Sequence, residues 1–336
     1  MAKTKVANRE LTSKNKSVLI HNKNKCDPPE IRGQRTLQKR ARRVAVSKPL
    51  AGSLSFVTTS RQMKKQYQRT YYQCGQQMVQ ADGKITSWWC GYRWCVSCSV
   101  IRVARMYSGY GQQIEEWGEK YFVTLTIPNV KRSELRQELV RMSKVWRACY
   151  TKIRKQGIEF KAVRSVEVTY NPERNDYHPH MHCIVAGKPA AKALLQNWMK
   201  RNSGASILGQ DMRRADDSTI NEVFKYAAKL SIREKGKVEP IPAKNLDVIY
   251  QAMSGLRMWS AVGIRSANGE LELDDEQMEL RAQELAFKRT DEMVCWEWMQ
   301  SIRDWVDLET GEVLSEYVPS PKAENFIKKL EEVCNG

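Results

Sequence analysis

The apolar positions in the middle of the chain follow two different periods. Residues 121–127 are an unbroken run of aromatic, β-branched and other strand-forming residues that Pro128 closes, which predicts a strand. Over residues 133–155 the apolar positions instead recur every three or four residues, which predicts an amphipathic helix. These positions are Leu135, Leu139, Met142, Val145, Trp146, Cys149 and Ile153.

The pattern continues on both sides of this pair. It predicts a helix over 100–117 before the strand, and then a strand over 161–170, a turn over 171–176, a strand over 180–186 and helices over 190–201 and 221–230. An order of this kind favours an antiparallel sheet backed by helices, an α+β fold. Residues 274–304 are predicted to be helical, with three tryptophans in a core or an interface: Trp296, Trp298 and Trp305.

The charge is unevenly spread along the chain. The net charge is +18 and the sequence pI is about 9.5, so a polyanion is the expected partner, and nucleic acid and anionic membrane both stay open on charge alone. Four regions are predicted: a basic, largely flexible arm (1–70), a Cys-rich zinc-binding segment (71–110), an α+β domain (115–240) and an acidic helical C-terminal region (241–336). The arm is either a solvated tail or a phosphate-binding element, with one short helix near residues 35–43.

No apolar run is long enough to predict a membrane span, and the N-terminus lacks the apolar region of a secretory signal. We therefore expect a cytoplasmic protein without a membrane partner. In the cytoplasm its nine cysteines are expected to be thiols or metal ligands rather than disulfides.

Three of the four histidines fall within five residues, at His178, His180 and His182. Alternate residues of a strand point to one face, so His180 and His182 are predicted to project together as a pair of metal ligands. The alternative is a surface strand in which histidines happen to alternate.

A third ligand follows from the predicted hairpin. With the turn centred between Arg174 and Asn175, residue 182 lies opposite residue 167, which is Glu167. Two imidazoles and one carboxylate favour Mg²⁺ or Mn²⁺ in a phosphate-handling site, with Zn²⁺ still open. The alternative for Glu167 is a simple ion pair with Arg164 or Lys161.

Four cysteines form a C-x15-C-x4-C-x2-C pattern: Cys74, Cys90, Cys95 and Cys98. Four thiolates are the ligand set of a structural zinc ion. An iron–sulfur cluster and free structural thiols are the alternatives. The other five cysteines have no partner spacing and receive no role.

Aromatic and basic residues surround these cysteines, a composition typical of surfaces that stack bases and neutralise phosphates. The predicted DNA-binding residues are Arg93, Trp94, Arg102 and Arg105.

Three segments in this order resemble the motifs of the HUH endonucleases: FVTLTIPN (122–129), HPHMH (178–182) and FKYAAK (224–229). The closest resemblance is to plasmid rolling-circle replication initiators with a single catalytic tyrosine, which also carry a Cys-rich segment before the first motif. The resemblance covers roughly residues 74–230. It implies that His180 and His182 bind a divalent metal, that Tyr226 attacks the scissile phosphate, and that Glu222 activates water in the closing step.

Helical spacing supports this assignment independently. Glu222, Tyr226 and Lys229 lie at i, i+4 and i+7, on one helix face, and the Lys229 cation would favour a phenolate. An ordinary amphipathic helix with Tyr226 half-buried is the alternative. The reserve candidates for the nucleophile are Tyr170, Tyr177 and Tyr250.

The resemblance therefore implies sequence-specific DNA nicking and strand transfer through a 5′-phosphotyrosine intermediate, which starts rolling-circle replication of a plasmid. Origin DNA is the expected partner, with a host helicase and polymerase as further ones. The competing hypotheses are an HUH transposase or relaxase, a non-enzymatic zinc-dependent DNA-binding regulator, and an RNA-binding protein. The regulator explains the charge and the cysteines but leaves the His strand without a role.

Overall fold

A computed structural model describes residues 29–81, 84–224, 230–234, 237–267 and 294–335. The described helices are α1 (Pro29–Val57), α2 (Arg61–Tyr72), α3 (Val96–Glu115), α4 (Leu135–Lys155), α5 (Lys188–Arg201), α6 (Asp217–Phe224), α7 (Ala243–Met253) and α8 (Pro321–Asn335). None of these helices is apolar over enough of its length to cross a bilayer.

The described strands are β1 (Gln77–Ala81), β2 (Lys84–Ser87), β3 (Lys120–Thr126), β4 (Ala162–Asn171), β5 (Asp176–Ala186), β6 (Asp211–Arg214), β7 (Ser231–Glu234), β8 (Lys237–Pro240), β9 (Trp259–Val262), β10 (Val294–Met299) and β11 (Asp304–Asp307). The α+β class is thereby confirmed. The predicted strands at β3, β4 and β5 and the predicted helices at α3, α4 and α5 are also confirmed.

The central sheet has five antiparallel strands in the order β6-β3-β5-β4-β9. Side chains alternate between its two faces, as the strand period requires. We call the side packed against α4, α5 and α7 the first face; it carries Val123, Met181 and Val166. The second face packs against α3 and α6 and carries Phe122, Ile184 and Val163.

The N-terminal prediction was wrong for residues 29–57. Instead of a largely flexible arm with a short helix, α1 is a helix of 29 residues. Ala41, Val44 and Ala45 are at most 1% exposed, and Leu50 and Leu54 are fully buried. Apolar residues at this helical spacing bury a stripe although the segment is rich in Lys and Arg. Residues 1–28 lie outside the described part of the chain.

The prediction of a helix over residues 274–304 was also wrong for the C-terminal part of that range. Residues 268–293 lie outside the described residues, but β10 and β11 form a hairpin where a helix was predicted. This hairpin joins a second sheet in the order β11-β10-β1-β2, so the last part of the chain packs beside the Cys-rich segment. The core placement of Trp298 and Trp305 is confirmed, at 5% and 0% exposure, and Trp296 packs against the same cluster.

Candidate metal centres and nucleic-acid interface

The hairpin of β4 and β5 brings one carboxylate and two imidazoles together on the second face. The Oε2 atom of Glu167 lies 3.7 Å from the Nε2 atom of His180 and 3.6 Å from the Nε2 atom of His182. All three side chains have ligand atoms within 4.8 Å of one another, which is close enough to share one ion. His180 is 6% exposed and the other two are half-buried.

The predicted pairing of residues 167 and 182 was wrong by two positions. Glu167 lies opposite His180, and His182 lies opposite Ser165. The turn is centred one residue earlier than predicted, with Asn171 paired to Asp176 and Asn175 in the left-handed region at φ 48°. Because successive side chains alternate between faces, a shift of two residues keeps Glu167 on the same face as the histidines.

Hydrogen bonds orient both rings of the His pair. The Nδ1 atom of His180 lies 3.1 Å from the backbone oxygen of His178, so Nδ1–H is the donor and Nε2 is left as the acceptor facing Glu167. The Nδ1 atom of His182 contacts the Oγ1 atom of Thr124 at 3.4 Å, and its Nε2 also faces Glu167. A ring nitrogen that donates to a backbone carbonyl, as in His180, is typical of metal-binding histidines.

The third histidine of the motif has a different environment. His178 Nδ1 lies 2.8 Å from Asn129 Oδ1, and the amide of Asn129 in turn donates to Asp176 at 2.6 Å. Burial, with a smaller contribution from His180, lowers the pKa of His178 to about 4. The imidazole of His178 is therefore uncharged at neutral pH and helps to hold the hairpin. It is not one of the three side chains that could share an ion.

A cation stacks at the edge of this group, which the sequence pattern did not indicate. Arg213 of β6 lies 4.7 Å from the ring centroid of Phe122, and Phe122 stacks on His182 at 5.3 Å between centroids. The order Arg213–Phe122–His182 puts a guanidinium near the imidazoles. Only the pairing of β6 with β3 creates this arrangement, because 91 residues separate Arg213 from Phe122 along the chain.

The four predicted zinc ligands form a compact buried group. The Sγ atom of Cys98 lies 3.6 Å from Sγ of Cys74 and 3.5 Å from Sγ of Cys90, and Cys74 lies 3.8 Å from Cys95. Ligands at about 2.3 Å from one tetrahedral zinc ion are about 3.8 Å apart, so these spacings fit a single ion. A cluster of several irons needs thiolates that lie farther apart.

The surroundings of the four sulfurs also suit thiolate ligands. The hydroxyl of Thr70 donates to Cys90 at 3.2 Å, and the backbone N–H of Gly91 donates to Cys98 at 3.3 Å. Burial raises the pKa of the Cys74 and Cys98 thiols, whereas at Cys95 burial is outweighed by hydrogen bonds from the neighbouring cysteines, which lower the pKa of Cys95. The structure thus shows a buried group of four cysteines that can hold a metal ion.

The predicted DNA contacts beside the cysteines are differently placed. Trp94 is 7% exposed and packs against Tyr67 at 4.6 Å between centroids, so it belongs to the core and cannot stack a base. Arg93 donates to the backbone oxygen of Leu256, and Arg102 donates to that of Gly91 at 2.9 Å. Of the four predicted residues only Arg105 is exposed.

A basic groove lies on the other side of the molecule. It has a volume of about 470 Å³ between the outer sides of α4 and α5 and is lined by Lys144, Arg147, Ala148, Thr151, Lys152, Lys155 and Arg201. Within the described residues, none of the four cations Lys144, Arg147, Lys152 and Lys155 forms an ion pair. We call this surface the α4–α5 groove; α4 and α5 cover the first face, opposite the His pair.

The predicted catalytic helix is described only in part. Helix α6 packs on the second face through Ile220, Val223 and Phe224, and Glu222 lies half-buried on it. Tyr226 and Lys229 lie outside the described residues, as does the continuation of the predicted helix over 225–229.

The reserve tyrosines are poorly placed for attack on a phosphate beside the His pair. Tyr177 is 2% exposed and Tyr250 is 5% exposed, and burial raises the pKa of both phenols. Tyr170 packs against the core of the first face.

Comparison with known proteins supports the resemblance seen in the motifs. Residues 84–203 match the family model for replication proteins. A Rep protein of Staphylococcus aureus is 36% identical over 103 residues, covering 29% of this chain and 44% of the relative. A Rep protein of Streptococcus pneumoniae is 30% identical over 191 residues, covering 52% of this chain and 58% of the relative. One of Bacillus amyloliquefaciens is 31% identical over 150 residues, covering 43% of each.

These similarities confirm the predicted resemblance to Rep replication initiators. The chain spans about half the length of the curated relatives it matches. The family match includes the β4–β5 hairpin and ends before α6. No solved structure matches the chain.

Proposed function

Because the chain is related to Rep replication proteins over residues 84–203, we propose that it nicks one DNA strand at a replication origin and thereby starts rolling-circle replication of a plasmid. The observation that carries this proposal is the group of Glu167, His180 and His182 on the second face. That face is covered by α6, which ends two residues before Tyr226 in the sequence.

The donor set of this group fits a divalent cation. Two imidazole nitrogens and one carboxylate oxygen are held within 4.8 Å, and the hydrogen bond from Nδ1 of His180 to the carbonyl of His178 leaves Nε2 of His180 to coordinate. We propose Mg²⁺ or Mn²⁺ as the native ion, since three protein ligands leave coordination positions that phosphate oxygens could fill. A cation held there would stabilise the negative charge that develops on the scissile phosphate.

Tyr226 is the proposed nucleophile. Its phenolic oxygen forms a bond to phosphorus while the bond from phosphorus to the 3′ oxygen breaks. The products are a tyrosine joined to the 5′ phosphate and a free 3′-hydroxyl that takes up a proton. Tyr226 follows Phe224, which packs on the second face, by two residues. None of the reserve tyrosines is this close in sequence to a residue packed on the second face and also accessible. Tyr170 and Tyr177 belong to the first face, and Tyr250 is buried.

Two further residues complete the proposed reaction. Lys229 is proposed to favour the phenolate of Tyr226, because a nearby cation lowers the pKa of a phenol. Glu222 is proposed to take a proton from water when the phosphotyrosine is resolved. Its position on α6, half-buried and within a few residues of Tyr226, is compatible with this role.

The Cys group is proposed to hold zinc as a structural ion. Cys95 caps the start of α3 and Cys98 lies in its first turn, while Cys74 follows α2 and Cys90 follows β2. One ion would therefore tie together three elements that are separate in the sequence. This role is independent of the nicking chemistry and predicts a loss of stability when a ligand is removed.

The α4–α5 groove is proposed to contact duplex DNA that flanks the nick. Residues 144 and 155 of α4 are about 16 Å apart along the helix, roughly the length of five base pairs. Exposed cations along this length can contact several phosphates of a duplex segment. The released 3′-hydroxyl would be extended by a host polymerase, and a host helicase is the further proposed partner.

A nicking assay tests the proposal. Labelled single-stranded oligonucleotides from the replicon that encodes the chain are incubated with the protein, with and without Mn²⁺ or Mg²⁺, and denatured. A labelled band at the mass of the protein is expected only with metal. The Tyr226→Phe protein should not give this band, whereas the matched control Tyr170→Phe should retain it.

The same assay separates the competing functions. Tight DNA binding without a covalent product under either metal would favour a non-enzymatic regulator. A covalent product that persists in Tyr226→Phe would show that another residue is the nucleophile and would overturn the assignment of Tyr226.

A further inference from the structure

A short exposed apolar turn contacts Thr126 of β3, the strand next to the one that carries His180 and His182. Residues Ile207–Gly209 form one turn of 3-10 helix just before β6. The side chain of Leu208 is 93% exposed and that of Ile207 is 61% exposed. Leu208 is the most exposed of the large apolar side chains in the described part of the chain. Ile207 and Leu208 are adjacent in the chain and together expose two large apolar side chains to water.

Hydrogen bonds hold this turn rigidly. The hydroxyl of Ser206 accepts from the backbone N–H of Leu208 at 3.2 Å and caps the turn. The side chain of Gln210 accepts from the backbone N–H of Thr126 at 2.8 Å and donates to the Thr126 hydroxyl at 2.9 Å. The Thr126 hydroxyl donates to the backbone oxygen of Gly209 at 3.2 Å.

The turn is seated closely against the sheet at one end of β3. A Cβ atom built on Gly209 would lie 2.8 Å from Oγ1 of Thr126, so only glycine permits this approach. Thr126 is the register partner of His180 and lies on the same face. The hydrogen-bonded turn that carries Ile207 and Leu208 is therefore one strand away from His180 at this end of the sheet.

We propose that Ile207 and Leu208 form a wedge that enters the base stack next to the scissile phosphate and keeps the duplex open there. This inference rests on the proposed nicking function. Apolar side chains inserted at a base step unstack it, and the contact with the exposed base faces compensates for the lost stacking. The proposal explains why a rigid turn beside the site exposes two large apolar groups to water.

Nicking of single-stranded DNA and nicking of duplex DNA should depend on the wedge to different degrees. A single strand is already open, so nicking of it does not need the wedge. A duplex must be unstacked before its phosphate reaches the His–Glu group. The ratio of duplex to single-strand nicking therefore reports on the wedge, whereas loss of both activities reports on the chemistry.

The test compares variants on both substrates. The double variant Ile207→Ser/Leu208→Ser is expected to nick a supercoiled plasmid or a duplex oligonucleotide at least about tenfold more slowly, with single-strand nicking unchanged. Ile207→Met/Leu208→Met keeps the apolar volume and should restore duplex nicking. The matched control Leu308→Ser/Val318→Ser changes two residues that are 68% and 84% exposed elsewhere and should affect neither substrate.

A second measurement does not depend on cleavage. A duplex carrying 2-aminopurine at the nick site is titrated with the Tyr226→Phe protein, whose binding should raise the fluorescence as the base unstacks. A Tyr226→Phe protein that also carries Ile207→Ser/Leu208→Ser should show no such rise in fluorescence. Equal losses on both substrates, or duplex nicking and fluorescence like those of the parent protein, would overturn the wedge. If the parent protein with Tyr226 forms no covalent product under either metal, a fluorescence rise that depends on Ile207 and Leu208 would uphold the wedge and contradict the nicking function.

Discussion

The Oε2 atom of Glu167 lies 3.6 Å from the Nε2 atom of His182, although the strand partner of His182 is Ser165. The carboxylate thus reaches diagonally across the hairpin and also faces His180 at 3.7 Å. Diagonal neighbours on one face of an antiparallel pair are within reach of a side chain as long as Glu. One carboxylate oxygen therefore faces both imidazoles, which is the arrangement expected when all three bind one ion.

Removing the charge of Glu167 should weaken metal binding. Glu167→Gln keeps the size of the side chain but replaces an anionic ligand by a neutral one, so the affinity for Mn²⁺ should fall at least about tenfold. Isothermal titration calorimetry of Mn²⁺ into the purified protein measures this. Glu173→Gln in the exposed turn of the same hairpin is the matched control. Unchanged affinity in Glu167→Gln would remove Glu167 from the ligand group.

Substitution of a central cysteine should release zinc and destabilise the protein. Cys98 Sγ lies within 3.6 Å of two other sulfurs, so Cys98→Ser removes one of four ligands from the group. We expect about one zinc per chain in the parent protein and a clear fall in zinc content and Tm in the variant. Elemental analysis and thermal unfolding measure the two effects. Cys295→Ser, outside the group, should change neither; a zinc content equal to that of the parent in Cys98→Ser would contradict the proposed site.

Neutralising the α4–α5 groove should reduce the salt dependence of duplex binding. Lys152→Gln/Lys155→Gln removes two phosphate contacts, so the slope of log K against log salt should become less steep by about 1.8. Fluorescence anisotropy with a duplex of several helical turns, between low and moderate salt, measures the slope. Lys322→Gln/Lys328→Gln on α8 makes the same change in net charge away from the groove. Equal slopes in both double variants would argue against the groove as a DNA contact.

Trp305 should contribute strongly to stability. Its indole N–H donates to the backbone oxygen of Gly75 at 2.8 Å and its ring is fully buried, so it joins the C-terminal hairpin to the segment next to Cys74. Trp305→Phe loses this hydrogen bond and leaves a cavity, with an expected cost of about 2–3 kcal/mol in the free energy of unfolding. Urea denaturation measures it. The partly buried Trp296→Phe should cost less, and equal costs would show that the hydrogen bond to Gly75 contributes little.

The sequence by itself determined the local parts of the candidate sites. The alternation of His180 and His182 places both on one face of any strand, and the clustered cysteines indicate a shared ligand group. The group with Glu167 was also reached from the sequence despite a wrong register. A register error of two residues leaves each side chain on the same face of the sheet, so the predicted ligand group was correct although the predicted pairing was not.

Tertiary structure decided which of these residues are buried and which lie at the surface. Composition alone suggested an exposed arm at Ala41 and Val44 and a DNA contact at Trp94, yet all three are buried. Their partners lie far along the chain: Ile327 and Trp305 share a cluster with α1, and Tyr250 packs near Trp94. The stacking of Arg213 on Phe122 likewise exists only because β6 pairs with β3. Periodicity fixes which face a residue occupies, whereas burial depends on which distant element covers that face, and no local pattern contains that information.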